Sequence, residues 1–483
     1  MERSSIVIFG ASGDLTSRKL IPALYRLFIK KRLPPEFRIV GVSRSHFSDE
    51  SWRDTLSTST QQFVKKDFRE ETWKSFEKHV FYYSGDASQS DFFAPFDAFL
   101  TQMEKHAPTP RLYYLATAPT LYVPIVRGLA PYMQREKMVE IDGRPTPERR
   151  IVLEKPFGRD LKTARDLNAI LHDNLDERQI FRIDHYLGKE TAQNLMVFRF
   201  ANAVFEPIWN RNYIENIQIT ANEETLVGKR YPYYNQSGVL RDMFQNHLFQ
   251  LMTLVAMEPP VRFDADAVRD EKVKTLQAVR IYRTAEEVQE NATFGRYSNP
   301  EEETLSPNVA TFAAVRFFID NWRWQGVPFF LRSGKGMSCR TTQIVIQFRR
   351  PPHLMFSKGV FQPNRLLIQI QPAEGIQLYF QSKIPDTNME IGQAELHFNF
   401  LRSFQKEMPD GYERLILDAI HGDASLFARS DEVESAWQII DAILSKRQDA
   451  LPYPYEIGGW GPEESQIWMQ NLGATWFNSC PVL

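Results

Sequence analysis

Short apolar runs alternate with longer amphipathic stretches through the first 175 residues of the chain. Residues 16–32 and 160–175 place apolar side chains at helical spacing. Such alternation predicts a parallel sheet covered by helices on both faces, and hence an α/β, Rossmann-like doubly wound domain. The runs with the length of a strand are residues 5–9, 37–42, 111–116 and 150–153.

The pattern changes after about residue 185, where strands predominate and few helical stretches separate them. This favours a larger α+β domain with a mainly antiparallel sheet. Residues 286–308 are polar with little periodicity and are expected to form a surface excursion. We therefore predict one domain over residues 1–184 and a second over residues 185–483. Within the second, helices are expected at 192–205 and 424–446, and strands at 214–221, 309–318, 340–348 and 364–383.

Composition narrows the class of protein. The net charge of −2 gives no bulk attraction to nucleic acid or to an anionic membrane. Cys339 and Cys480 are too few for a disulfide scaffold and are typical of a reducing compartment, and Cys339 is expected to be an ordinary small buried residue. Neither a signal-peptide pattern nor an apolar run approaching ~20 residues occurs. These features predict a cytoplasmic protein that binds neither nucleic acid nor membrane.

A glycine-containing turn follows the first predicted strand, in the sequence GASGDLTSRKL (residues 10–20). Gly10 would permit a tight turn, and Gly13 would let the backbone approach a pyrophosphate at the start of the next helix. The spacing Gly-x-x-Gly is looser than the full dinucleotide fingerprint, and an ordinary strand–helix turn is the alternative. The next strand ends at Ser43-Arg44, where a guanidinium suits a 2′-phosphate. This position favours NADP over NAD, the alternative being a solvated surface arginine.

Later strands are also followed by polar motifs. In EKPFG (residues 154–158) the proline holds Lys155 extended at the end of a strand, and the peptide bond before Pro156 could be cis. RIDHYLGKE (residues 182–190) gathers an acid, an imidazole, a phenol and an ammonium group around one glycine. An amphipathic helix over residues 237–257 carries His247 beside its apolar stripe. A lone histidine there is more often a core residue than a catalyst, but two acids, Asp242 and Asp184, could accompany it.

These segments resemble those of the glucose-6-phosphate dehydrogenase family. Seven stretches match in the family's order along the chain, and RIDHYLGKE is the family signature. The resemblance implies oxidation of D-glucose 6-phosphate at C1 to 6-phospho-D-glucono-1,5-lactone with hydride transfer to NADP, the first step of the oxidative pentose phosphate pathway. It also implies a homodimer or a dimer of dimers, assembled through the second domain. The matching stretches are GASGDLTSRKL, EKPFG, RIDHYLGKE, FEPIWNRNYI, RDMFQNHLFQ, VPFFLRSGK and PYEIGGWGP.

The resemblance assigns roles to the matched residues. His247 resembles the general base that takes the C1 hydroxyl proton, with Asp184 as its orienting partner; an imidazole titrates at about 6.5, near the operating pH of such a base. His185, Tyr186 and Lys189 resemble the clamp for the sugar phosphate, and His185 and Lys189 would share one face if a helix began there. The other residues expected at the substrate are Lys155, Glu223, Asp242, Lys335 and Arg340. Those expected at the cofactor NADP are Gly10, Ser12, Gly13, Asp14, Leu15, Lys19, Ser43, Arg44, Tyr114, Pro119 and Lys155, and no metal site is expected.

Three positions depart from the family pattern. Thr117-Ala118 precedes Pro119 where the family usually has Leu-Pro, which could shift contacts to the nicotinamide. Tyr231-Pro232 and Asn235 replace a glycine pair and an acid before the catalytic helix, so substrate affinity could differ. Gln369 replaces an arginine that in some members helps to bind a second, structural NADP, which argues against such a site here.

Other functions are weighed against this one. A catalytically inactive NADP-sensing or scaffold protein would share the fold, although all the candidate catalytic positions are present, and turnover would exclude it. A related NADP-dependent oxidoreductase could act on another hexose phosphate or on free glucose. Leaving the lysine and histidine of the clamp buried without a phosphate would be costly, which argues against free glucose. The absence of HExxH and GxxxxGK[ST] motifs argues against a metal hydrolase and a P-loop phosphotransferase.

Overall fold

Two large sheets organise the chain, and each belongs to a separate unit of the fold. The first unit comprises Met1–Gly188, Pro260–Arg269 and Pro409–Glu434, and the second comprises Lys189–Pro259, Asp270–Met408 and Ser435–Leu483. The computed structural model describes residues 1–107, 109–133, 137–141, 144–299, 305–356, 361–404, 408–447 and 451–481.

The first unit contains a seven-stranded sheet whose core strands are apolar on both faces. Successive side chains of residues 4–9 and of Ile180–Ile183 are buried, as expected for a sheet covered on both sides. Every neighbouring pair is parallel except the pair that joins Phe427–Ala428 to the sheet, which is antiparallel. The predicted Rossmann-like α/β fold is therefore confirmed. In spatial order the strands are Phe427–Ala428, Ile180–Ile183, Arg149–Leu153, Arg111–Leu115, Arg3–Phe9, Glu36–Ser43 and Val80–Ser84.

The parallel strands end in step at one edge of this sheet. Val42, Phe9, Leu115, Leu153 and Arg182 form a row of paired residues across five neighbouring strands. The segments that follow this row therefore emerge side by side. In open α/β sheets this carboxyl edge is where ligands bind.

Helices connect these strands, and a small separate hairpin pairs Met138–Ile141 with Arg144–Pro147. The helix after the glycine turn starts with a π-helical segment, Thr16–Leu20, and continues as Ile21–Ile29. The other helices of this unit are Asp49–Val64, Glu70–Phe76, Phe93–Met103, Tyr122–Leu129, Leu161–Asn174 and Gly411–His421. Helices Ala265–Gln277 and Ser430–Lys446 run from residues of the first unit into residues of the second.

The second unit contains a nine-stranded, mainly antiparallel sheet, as predicted. Two pairs are parallel: Ile214–Asn222 with Pro328–Gly334, and Ala292–Tyr297 with Tyr453–Tyr455. In spatial order the strands are Ile391–Asn399, Gly375–Lys383, Arg365–Gln371, Thr341–Phe348, Ile214–Asn222, Pro328–Gly334, Phe312–Phe318, Ala292–Tyr297 and Tyr453–Tyr455.

The helices of the second unit include a second π-helical segment, Leu240–Leu248. It is preceded by Tyr231–Val239, which contains a kink at Gly238 where φ is +57°, and is followed by Phe249–Ala256. The remaining helices are Glu190–Phe200, Ala285–Asn291, Phe400–Phe404 and Glu463–Asn471.

Single 3₁₀ turns occur in both units. They are Lys65–Asp67, Glu77–His79, Ser90–Phe92, Pro119–Leu121, Ala130–Tyr132, Glu177–Gln179, Glu206–Ile208 and Gly228–Arg230.

Three sequence predictions about elements were wrong. Residues 286–308 are not a surface excursion, because their described part includes most of helix Ala285–Asn291 and the strand Ala292–Tyr297. Residues 364–383 form two strands, since the chain reverses after Gln371 at a proline, which cannot donate to the ladder. The helix expected from residue 424 begins at Ser430, after the short edge strand. No helix in the described ranges is long and apolar enough to cross a bilayer.

Candidate active site

The glycine turn of the first unit is held by backbone contacts that exclude a side chain. Gly10 has φ +88°, and a Cβ atom there would lie 2.2 Å from the carbonyl oxygen of Ala116. The amides of Gly10 and Ala11 donate to the carbonyl of Val42 at 2.9 and 3.1 Å. Gly13 donates to Gly10 O at 2.9 Å and closes the turn. This is the geometry that lets a backbone approach a pyrophosphate, so the turn fits a dinucleotide.

The start of the following helix presents predicted cofactor residues to solvent. Ser12 and Asp14 are exposed and Leu15 is half-buried, while Thr16 donates to the carbonyl of Gly10 at 3.0 Å. Lys19, which was expected near the cofactor phosphates, forms an ion pair with Asp410 at 2.9 Å.

Ser43 and Arg44 follow the second strand of the sheet. The hydroxyl of Ser43 lies 2.6 Å from that of Tyr82. Arg44 is exposed, and in the described part of the chain no carboxylate forms an ion pair with it. Hydrogen bonds from Ser88 lower the pKa of the nearby Asp86 carboxyl, and the charge of Arg44 contributes a smaller part. The guanidinium is thus placed where a phosphate from solvent can reach it.

Lys155 stands at a cis peptide bond to Pro156, as the sequence suggested. The residue before it, Glu154, was not predicted, although it opens the EKPFG motif. Tyr114 donates to the Glu154 carboxylate at 2.5 Å, and Tyr122 donates to its backbone carbonyl at 2.8 Å.

Burial raises the pKa of Glu154 to about 6. Hydrogen bonds from Tyr114 and Tyr412 and the charge of Lys155 oppose that rise, whereas the charge of Asp184 adds to it. Tyr412 lies in helix Gly411–His421, so its contribution carries no local sequence signal. Pro119, the remaining predicted cofactor residue, starts a 3₁₀ turn and is exposed.

The RIDHYLGKE segment leaves the sheet at the same carboxyl edge. Asp184 is buried, and its carboxylate accepts from the amide of Tyr186 at 2.9 Å. The His185 ring lies edge-on to Tyr186 and parallel to Tyr412, with centroids 4.9 and 6.5 Å away. Residues 185–188 form turns and the helix begins only at Glu190, so His185 and Lys189 do not share a helical face as the sequence suggested.

In the second unit, the predicted base and one predicted acid share the π-helical segment Leu240–Leu248. His247 and Asp242 are both buried there. The amide of His247 donates to the side chain of Asn246 at 2.6 Å. Segments of π-helix are rare and often occur at functional sites, which distinguishes this helix from an ordinary core helix.

Lys335, Glu223 and Asp242 come together in the second unit. Lys335 and Glu223 directly follow two paired parallel strands, in which Gly334 is opposite Asn222. The ammonium group of Lys335 contacts the Glu223 carboxylate and lies 3.8 Å from that of Asp242. Lys335 as a whole is 4% exposed, so it is a nearly buried cation between two acids.

Two tyrosines missed by the sequence analysis join this cluster. Tyr233 donates to Asp242 at 3.4 Å, and the Tyr234 ring lies 5.4 Å from the Lys335 ammonium group. Burial raises the pKa of Tyr233 to about 12, with the Asp242 charge as the next cause. Both lie in helix Tyr231–Val239, so an aromatic pair just before the segment that contains His247 was the available signal.

Arg340 is separate from this cluster within the unit. It is exposed and donates to Gln371 at 3.5 Å. Gln369, which replaces the family's arginine, is buried and donates to Thr341 at 2.9 Å.

The two cysteines are joined, which overturns the prediction for Cys339. Cys339 and Cys480 form a disulfide with their Cα atoms 5.9 Å apart. They are separated by 141 positions in sequence, and their proximity is created only by the fold.

Comparisons with known proteins agree over nearly the whole chain. The family model described as "Glucose-6-phosphate dehydrogenase, NAD binding domain" matches residues 7–194, and "Glucose-6-phosphate dehydrogenase, C-terminal domain" matches residues 196–477. The first supports a nicotinamide dinucleotide as cofactor.

Relatives and solved structures give the same family. A glucose-6-phosphate 1-dehydrogenase of Aggregatibacter actinomycetemcomitans is 41% identical, with 98% of this chain and 97% of that protein covered. The corresponding protein of Mycolicibacterium smegmatis is 41% identical, with 97% and 96% covered. A structure described as glucose-6-phosphate dehydrogenase in complex with its substrate glucose-6-phosphate is 33% identical, covers 99% of both chains and has a TM-score of 0.89. The chain therefore belongs to the glucose-6-phosphate dehydrogenase family.

Proposed function

We propose that this protein oxidises D-glucose 6-phosphate at C1 to 6-phospho-D-glucono-1,5-lactone and reduces NADP, as the first step of the oxidative pentose phosphate pathway. Its membership of the family over both halves of the chain supports this activity. The observation that carries the proposal is the cluster of buried Lys335 and Asp242 with half-buried Glu223, because a cation and two acceptors suit a ligand rich in hydroxyl groups.

The roles in the reaction follow the chemistry of the side chains. His247 acts as general base and takes the proton of the C1 hydroxyl, while Asp184 orients the imidazole and stabilises its charged form. Glu223 and Asp242 accept hydrogen bonds from sugar hydroxyls, and the ammonium group of Lys335 holds the two carboxylates in place. When bound, the nicotinamide accepts the hydride that leaves C1.

The phosphate of the sugar is held by His185, Tyr186 and Lys189, whose donors suit a dianion. Lys155 and Arg340 complete the substrate contacts. This clamp makes the phosphorylated sugar the preferred substrate over free glucose, because a phosphate dianion forms charge-assisted hydrogen bonds that free glucose cannot form.

NADP is preferred over NAD in this proposal because of Arg44. The exposed guanidinium beside Ser43 suits a 2′-phosphate. Gly10, Ser12, Gly13, Asp14 and Leu15 would form the turn around the pyrophosphate, and Lys19 would have to exchange its partner Asp410 for the cofactor. Tyr114 and Pro119 would lie on the nicotinamide side.

The direct test is absorbance of the reduced nicotinamide with glucose 6-phosphate, using NADP and NAD in parallel and free glucose as the control sugar. Turnover with NADP and glucose 6-phosphate, and none with free glucose, is expected. Equal or better turnover with NAD would overturn the role of Arg44. The absence of turnover in folded protein would favour the sensor alternative.

We further propose that the protein acts as a homodimer, or a dimer of dimers, in the cytoplasm. The edge strand Ile391–Asn399 and the helix after it expose apolar side chains that suit a second copy of the chain. Light scattering after size exclusion tests the oligomer, and cell fractionation tests the compartment. The exposed side chains are Leu396, Phe398, Leu401 and Phe404.

A further inference from the structure

A disulfide fastens the end of the chain to a loop that carries two predicted substrate contacts. The C-terminal strap (residues 474–480) ends at Cys480, which is exposed, whereas its partner Cys339 is 9% exposed. Cys339 lies in the loop of residues 335–340, which begins at Lys335 and ends at Arg340. One covalent bond therefore connects the strap to the segment that presents these two cations.

The strap also satisfies buried polar side chains of the nine-stranded sheet. Gln218 donates to the carbonyl of Thr475 at 3.0 Å and accepts from the amide of Phe477 at 2.9 Å. The Phe477 carbonyl accepts from Arg332 and from Gln343, each at 3.3 Å. These three sheet side chains are at most 2% exposed, so they depend on the strap for hydrogen bonds that water does not supply.

Arg332 depends on the strap in a second way. Trp476 lies with its ring 4.3 Å from the Arg332 guanidinium, and the described residues provide no carboxylate to pair with it. Burial lowers the pKa of Arg332 to about 9. Displacing the strap would uncover this guanidinium and change the surroundings of Trp476.

Non-covalent contacts also hold this loop. The ammonium group of Lys335 contacts Glu223, the Lys335 carbonyl accepts from Tyr455 at 2.7 Å, and Met337 is buried in an apolar cluster. The amides of Lys335, Met337 and Ser338 each donate to a neighbouring backbone carbonyl, at 3.0, 3.0 and 2.8 Å. The disulfide is the covalent constraint on this loop, and it acts next to the residue that precedes strand Thr341–Phe348.

We propose that Cys339–Cys480 is a redox modification site, at which a dithiol reductant releases the strap, loosens the loop of residues 335–340 and weakens binding of the sugar phosphate. The inference rests on the proposed function for its substrate. In the cytoplasm, the compartment proposed above, disulfides are mostly transient or redox-sensing, which agrees with such a role.

The chemistry is a two-electron exchange. A thiolate of the dithiol attacks the exposed Cys480 sulfur, the disulfide breaks, and Cys339 leaves as a thiolate that takes a proton. The second thiol of the reductant then attacks the mixed disulfide and releases Cys480. The protein gains two thiols, and the reductant becomes a disulfide.

The test compares oxidised full-length protein with protein reduced by dithiothreitol, with the thiol count of each determined by alkylation and mass spectrometry. Reduction is expected to raise KM for glucose 6-phosphate by about fivefold or more, and to accelerate amide hydrogen exchange in residues 474–480. Cys480→Ser should resemble the reduced enzyme without dithiothreitol. The double variant Cys339→Ser/Cys480→Ser should not respond to dithiothreitol.

Each contrary outcome is distinguishable. In protein shown to contain two thiols, either an unchanged KM for glucose 6-phosphate or unchanged exchange in the strap would overturn the proposal. Protein that stays reduced after treatment with diamide would also overturn it. If the oxidised enzyme shows no turnover with glucose 6-phosphate, the proposed function fails, while exchange in the strap still decides whether the disulfide holds it.

Discussion

The ammonium group of Lys335 contacts the carboxylate of Glu223 where two parallel strands of the nine-stranded sheet end together. Removing this cation would leave the buried carboxylate of Asp242 without a nearby positive charge and close to the half-buried carboxylate of Glu223. Lys335→Met is therefore expected to lower the free energy of unfolding by about 3 kcal/mol, measured by urea denaturation. The matched control is Lys274→Met, since Lys274 pairs with Glu271 at 2.9 Å but is 63% exposed. It should cost less than about 1 kcal/mol, and equal losses in the two variants would contradict the argument.

His247→Asn tests the general base. Asparagine has a similar size but takes up no proton, so kcat with glucose 6-phosphate should fall by about 10²- to 10⁴-fold while KM stays within a small factor. Steady-state kinetics measure both. His172→Asn, at an exposed histidine that pairs with Glu177, is the control and should leave kcat unchanged. A rise in KM with kcat preserved would assign His247 to binding instead.

Arg44→Ala tests the choice of cofactor. A charge-assisted contact to the 2′-phosphate would be lost, so kcat/KM for NADP should fall by about 10- to 100-fold while that for NAD changes little. Arg69→Ala, at another exposed arginine of the same unit, is the control. A parallel loss with both cofactors would place Arg44 outside the 2′-phosphate site.

Gly10→Ala should be far more destabilising than Gly326→Ala. Both glycines have positive φ, +88° and +82°, so an alanine costs about 1–2 kcal/mol of backbone strain at either position. At Gly10 the added carbon also meets a backbone oxygen, whereas nothing lies within 4 Å at Gly326. Urea denaturation of both variants measures the difference, and similar losses would show that the turn can open without cost.

Glu154→Gln should change how stability depends on pH. The folded pKa of Glu154 is about 6, above its ordinary value of 4.5, so the folded state loses stability as pH rises through this window. Glutamine removes that loss, and the variant should gain about 2 kcal/mol relative to the natural protein between pH 4 and pH 8. Unfolding at several pH values measures the gain. Glu71→Gln, at an exposed position, should show none, and a pH-independent difference for Glu154→Gln would contradict the prediction.

The sequence predicted best what depends on neighbouring residues. The strands around the glycine turn were placed within a few residues, because short apolar runs bounded by glycine or charge are distinctive. The strand Val80–Ser84 was missed, since it is short and three of its five residues are not buried. The edge strand Phe427–Ala428 is two residues long and carries no pattern at all.

In the candidate site, too, features with a local sequence pattern could be predicted and long-range contacts could not. His247, Asp242 and Lys335 lie in motifs that could be recognised one at a time, whereas Glu223 was assigned by the resemblance alone. The contact of Tyr412 with Glu154 joins residues more than 250 positions apart, and the Cys339–Cys480 disulfide spans 141. Such pairings arise from the topology of each unit, which no local pattern encodes.

The first unit is built from three segments that are far apart in sequence, and this affects how it can fold during synthesis on the ribosome. The edge strand of its sheet is Phe427–Ala428, and Glu413 forms an ion pair with Lys30 at 2.5 Å. Both contacts need residues of the segment Pro409–Glu434, which the ribosome adds long after Gly188. The nascent chain must grow by roughly 250 further residues, which takes on the order of 10 to 50 seconds at 5–20 residues per second. Until then the N-terminal sheet has an uncovered edge, and a truncated product of residues 1–188 would be a substrate for chaperones rather than an autonomous domain.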